Sequence, residues 1–298
     1  VHHDFDGLGC ITKWRFAKSG VTLQRRMVGS ELLNASRAAG RLVPHVTMLP
    51  MTPALSLLER VEAVAGPMDN TNIAVVRTGP HVYLTNDNGV ATNSIDAATL
   101  APLGHTAVEN AGAGTFTGAH KQAEVGSRFG GASYGWYGEM TLTMRMKISV
   151  YRDAPVAGGS VHALARTVIG TAEVAKPTLI HSFGLSERWL VVVMGPVSIA
   201  PLKMAEYIAD PNFTPLDMIE WDTGGDTQIL IFDARATAAA PPVAELRSSA
   251  VFFNHHVNAF EAGGLLHADL IVYKDAAFLK DHRGFGNLDV MKNATARA

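Results

Sequence analysis

Three histidines, each set in its own short motif, carry the chemistry that this sequence could do. They are His120 in TGAHKQAE, His181 in IHSFGLSERW and His255 in FFNHHVNAFE. Separations of 61 and 74 residues rule out a local pattern such as H-x-x-x-H. Only elements that return repeatedly to one axis could gather them. Neutral imidazoles converging without cysteine suit a borderline divalent metal such as Fe(II) or Zn(II).

The elements that must position these rings read as short strands. Apolar, β-rich runs occur at Ile11–Phe16, Thr22–Val28, Asn72–Arg77, His81–Thr85, Met140–Tyr151, Thr178–Phe183, Trp189–Met194, Gln228–Asp233, Ala250–Asn254 and Leu265–Tyr273. Gly- and Pro-containing breaks separate them, among them Thr78-Gly79-Pro80 and Gly224-Gly225-Asp226. Such spacing predicts an all-β sandwich, barrel or propeller. Ser30–Ala39 reads as an exposed helix. Residues 201–221 read as a helical or irregular insertion rich in apolar side chains. We expect that insertion to pack on its own sheet, with peripheral membrane contact as the alternative.

The composition narrows the function classes. The chain has 298 residues, 47% of them hydrophobic, which is enough for a sizeable core. A formal charge of −2 supplies no basic field, so nucleic acid is not an expected partner. One cysteine, Cys10, excludes an internal disulfide framework and a cysteine-rich zinc site. No apolar run reaches the roughly 18–20 residues needed for a spanning helix. GAGTFTG at Gly112–Gly118 resembles a phosphate loop but lacks the Lys-Ser/Thr ending, so it is rejected.

Around the three histidines the sequence resembles the carotenoid cleavage oxygenase family. AHKQAE at Ala119–Glu124 resembles the family's AHP-x-x-D, HSFGLSERW at His181–Trp189 its H-[DS]-F-x-x-T-E-N-Y, and NHHVNAFE at Asn254–Glu261 its F-H-H-x-N-A-[YF]-E. FDGLG at Phe5–Gly9, NTN at Asn70–Asn72 and IDAATLAPLG at Ile95–Gly104 resemble three further family motifs in the right order. The chain opens inside the first of these without an initiator methionine. It is read as a processed or partial form of a longer chain.

The resemblance implies a β-propeller of the seven-bladed type, incomplete here, forming a single domain over residues 1–298. Residues 201–221 would then lie over the substrate entrance. It implies a non-haem Fe(II) held by histidines, with His120, His181 and His255 in three of the family's four ligand positions. His255 is chosen over His256 because it stands three residues before Asn258, where the motif places its ligand. The fourth ligand is not found. His267 and His282 are the histidines that remain, in a strand and a loop that do not match it. Of the carboxylates that orient the family's ligands, the first falls on Asn88. Its neighbour Asp87 would serve only with a one-residue slip that reverses its face.

The implied substrates are a carotenoid or apocarotenoid and O2, giving two carbonyl products. The implied site is a plastid or the cytoplasm beside a membrane. The alternative is an inactive scaffold or pigment-binding subunit of a larger, photosynthetic assembly. The missing ends predict open sheet edges that another subunit could cover.

Overall fold

The computed structural model describes residues 6–66, 68–87, 91–112, 114, 116–126, 131–158, 163–273 and 275–276. Asn88 and His282 lie outside the described residues, as do His2 and His3. The architecture is all-β and of the propeller type: largely antiparallel sheets follow one another along the chain, with a parallel pairing of Ala107–Glu109 on Ala163–Val174. Among the described residues the first is a hairpin of Cys10–Ala17 with Gly20–Met27, and the second a four-stranded sheet running from Ala74 to His105. The third is a six-stranded sheet built on Ser133–Met140, Met146–Pro155 and Ala163–Val174. The fourth is a four-stranded sheet containing Trp189–Met194 and Thr227–Asp233, and the fifth a hairpin of Phe252–Ala262 with Leu265–Tyr273.

The main core lies between the third and fourth sheets. Trp136, Met146, Ile148, Val150 and Ile169 of one meet Leu190, Val192, Leu230 and Phe232 of the other. These are alternate positions on their strands, so each strand turns one face to this core; Val191 and Val193 bury the opposite face against Phe253. The first and last hairpins pair with no further strand among the described residues. Trp14, Phe16, Val21 and Leu23 stand exposed on one face of the first hairpin.

Local signals explain the helices. In Glu31–Ala39, Ser30 caps the first turn through Leu33 N–H (3.0 Å), and Gly40 ends it at φ 64°. The helix is less exposed than the sequence suggests, because Leu32 and Leu33 are buried. Leu57–Ala65 opens with a Ser56/Glu59 capping box that the sequence reading passed over. In residues 201–221, Tyr207, Leu216, Met218 and Ile219 are buried, and Leu202 stays exposed.

Two strand readings need correction. Met140–Tyr151 is two strands, Ser133–Met140 and Met146–Pro155, joined by a turn. Met144 N–H donates to Thr141 O (3.0 Å) and Arg145 N–H to Thr141 Oγ1 (3.0 Å). Thr is a good strand residue, and here its hydroxyl closes the turn instead. Thr178–Phe183 is no strand. Beyond an isolated bridge from Thr178 to Ser198 it is a loop, and His181 sits on it.

Candidate metal centre

Each histidine arrives from a different sheet. His120 stands two residues before the short strand Gln122–Ala123 of the third sheet, and His181 leads into Gly184–Leu185 of the fourth. His255 lies on Phe252–Ala262 of the last hairpin. Gly118 lets the His120 segment pass close to the sheet, since a Cβ there would collide with the Trp136 indole nitrogen. Gln122 Nε2 then donates to Phe183 O, tying the His120 and His181 segments together. At His255 the strand carries register shifts between Phe253 and Asn258. Such a bulge re-aims side chains that regular alternation would send elsewhere.

The three rings converge through their Nε2 atoms. His120 Nε2 lies 2.9 Å from His181 Nε2, and His181 Nε2 lies 3.2 Å from His255 Nε2. Ring centroids are 4.5–5.0 Å apart, and the planes meet at 74–79°, so the rings face a common point from three directions. His256 is not in this group. Its Nδ1 lies 3.1 Å from Ser182 Oγ and its ring packs edge-on against Phe253. His267 stacks on Phe260 in the last hairpin.

Asp87 supplies the anionic support. Its Oδ2 lies 2.6 Å from His181 Nδ1, and its Oδ1 accepts from Ala119 N–H at 2.7 Å. One carboxylate therefore fixes the ring of one histidine and the backbone beside another. With Nδ1 carrying the proton, His181 Nε2 presents a lone pair to the centre. Asp87 follows the end of its strand at Thr85, so the reversal of face expected from a one-residue slip along a strand does not apply to it. The spacing of the family motif points instead to its neighbour Asn88.

A metal cation fits this donor set. Lone pairs facing each other at 2.9–3.2 Å repel unless a cation or proton lies among them. Nitrogens bonded at about 2.0–2.1 Å to one ion stand about 3.0–3.4 Å apart. His120 is held down to about 4 by burial, with His181 and His255 adding to the shift and Asp87 opposing it. Burial and His181 also lower His255. Neutral imidazole is the ligating form.

The same shifts predict how the metal-free fold responds to pH. His120 and His256, the latter lowered to about 4 chiefly by burial, stay neutral in the folded chain, while the unfolded chain takes up protons near 6.5. Stability should be full above pH 6.5 and be lost as pH falls toward 4, by up to about 3 kcal/mol for His256. Urea unfolding at several pH values checks this. A flat profile across that window would mean the folded rings already carry protons.

Beside His120 and His255 opens a cleft of about 280 Å³, lined also by Lys121, Gln122, Ser182, Leu185, His256, Val257, Asn258 and Ala259. A second feature escaped the sequence reading: Lys121, Asp153 and Arg166 form a buried ion cluster next to His120. Asp153 lies on Met146–Pro155 but beyond the run Met140–Tyr151 read as a strand, so nothing in the sequence marked it as buried. Glu261, on the last hairpin, accepts from Ser186 Oγ (2.8 Å) and Arg188 N–H (3.1 Å), closing the turn after His181.

The family described as retinal pigment epithelial membrane protein matches residues 1–296. A carotenoid isomerooxygenase of Galleria mellonella is 26% identical over 92% of this chain and 53% of its own length. A mitochondrial carotenoid-cleaving dioxygenase of Homo sapiens is 26% identical over 90% and 47%. A variant of the Synechocystis apocarotenoid oxygenase superposes with a TM-score of 0.72 at 18% identity, over 92% of this chain and 54% of that one. A cobalt-substituted form of the Synechocystis protein gives 0.71. The chain thus spans about half the length of the curated relatives it matches.

Proposed function

This chain belongs to the retinal pigment epithelial membrane protein family, the carotenoid cleavage oxygenases, and from that premise we propose that it serves an Fe(II)-dependent oxygenase acting on a carotenoid or apocarotenoid. The observation that carries the reading is the convergence of His120, His181 and His255 through Nε2, with Asp87 behind His181. These three histidines would hold the metal. When bound, Fe(II) supplies a redox-active centre with open positions at which O2 is activated.

The chain's own residues do the rest. Asp87 holds the proton on His181 Nδ1 and so keeps Nε2 turned to the centre. The cleft beside His120 and His255 is lined mainly by polar groups; Leu185, Val257 and Ala259 are its apolar part, against which a polyene could lie. The overall change is balanced without an added reductant: one C=C bond breaks, and each carbon leaves with one oxygen atom of O2.

A second reading is a pigment-binding relative without turnover. One experiment separates the two. The chain is loaded anaerobically with Fe(II), given an apocarotenoid, and exposed to ¹⁸O₂. Two carbonyl fragments, each carrying one labelled oxygen, are expected. Retained pigment with an unshifted polyene spectrum would sink the oxygenase reading and leave the binding one.

A further inference from the structure

We propose that Lys121 is a positioning residue for His120, an inference that rests on the three-histidine metal reading. Where the family motif has proline after the histidine, this chain has Lys121, and the structure uses both ends of it. Its backbone N–H donates to Ala119 O at 3.0 Å, closing a three-residue turn centred on His120. Proline has no N–H and could not make this bond. Ala119 O also accepts from Thr85 Oγ1 (2.6 Å), while Ala119 N–H is held by Asp87. The far end, Lys121 Nζ, reaches Asp153 Oδ2 at 3.1 Å with its side chain 3% exposed. It lies 4.9 Å and 5.3 Å from the ring centres of Tyr83 and Tyr151.

Charge balance does not explain this lysine. Arg166 already engages both oxygens of Asp153, at 2.8 and 2.9 Å, and stacks over Tyr151 at 3.6 Å. That bidentate pair is neutral by itself. A second buried cation leaves the cluster with one positive charge in excess, a desolvation cost that packing alone has no reason to bear. What Lys121 adds is an anchor. It pins the turn carrying His120 to Met146–Pro155, a strand of the sheet behind it. Proline fixes the motif through its ring. Here an ion pair and a turn hydrogen bond do so instead.

The test uses Co(II) as the probe of ring placement, read by titration and by its visible ligand-field spectrum in the full chain. Lys121→Met keeps the N–H and most of the stem but removes the anchor. It should unfold at the wild-type temperature or slightly above, because it also removes the excess charge. Its Co(II) affinity should nevertheless fall about tenfold, the size expected when an outer support of a ligand is lost. Its spectrum should change. Wild-type affinity and spectrum in Lys121→Met would overturn the inference and leave the metal reading standing. No Co(II) binding by the wild type would overturn both. Should Lys121→Met fail to fold, Lys121→Arg decides the matter. It keeps the charge and the N–H but moves the anchor point, so the spectrum should shift at unchanged stability, and an unshifted spectrum overturns the proposal.

Discussion

Alanine in place of His181 is expected to abolish metal retention, lowering bound Fe(II) or Co(II) to the level of a histidine-free control. His181 is the middle of the three: its Nε2 faces both of the others, at 2.9 and 3.2 Å, and it is the ring that a carboxylate orients. Two neutral imidazoles cannot hold a divalent ion against water as three can. The milder change Asp87→Asn grades the same argument. The amide still accepts a hydrogen bond but carries no charge, so His181 becomes a poorer donor and affinity should fall about 10- to 100-fold. Metal analysis after dialysis, followed by titration, measures both. Full stoichiometry in His181→Ala would show that the ion, if bound at all, sits elsewhere.

Substituting leucine for Asp153 should destabilise the fold by about 3–5 kcal/mol, the cost of leaving buried charge without its counter-ion. Asp153 is fully buried, and both Lys121 and Arg166 depend on it. Burial pushes its carboxyl up, yet the two cations outweigh burial and hold it below the ordinary range. Against a typical stability of about 5–15 kcal/mol, such a loss is a third or more of the whole. Urea denaturation reads it directly. Adding Lys121→Met and Arg166→Leu to the same variant should recover much of the loss, because no unpaired charge then remains. A loss below about 1 kcal/mol for Asp153→Leu would mean that both cationic heads reach water.

Much of the site could be read from the chain because its motifs are contiguous. AHKQAE, HSFGLSERW and NHHVNAFE each carry their histidine within a few residues, and apolar runs located strands such as Trp189–Met194, Thr227–Asp233 and Leu265–Tyr273, while Ala163–Val174, the longest strand among the described residues, went unread. The errors fell where local propensity and tertiary context disagree. MTLTMRMKISVY has strand-forming residues throughout, yet Thr141 turns the chain. Thr178–Phe183 has the composition of a strand, yet finds no continuous partner and becomes the loop that delivers His181.

The sequence by itself determined that the chain is all-β, which family it resembles, and which three histidines to follow. Each of these rests on side-chain types at short range. Only the tertiary structure decided that Asp87 is the carboxylate behind His181, because that residue lies past the end of its strand, where alternation stops predicting direction. Only the tertiary structure brought Lys121, Asp153 and Arg166 together, from a loop and two strands. Their pairing is electrostatic. It is set by which groups share a water-free space, and no periodicity along the chain records that.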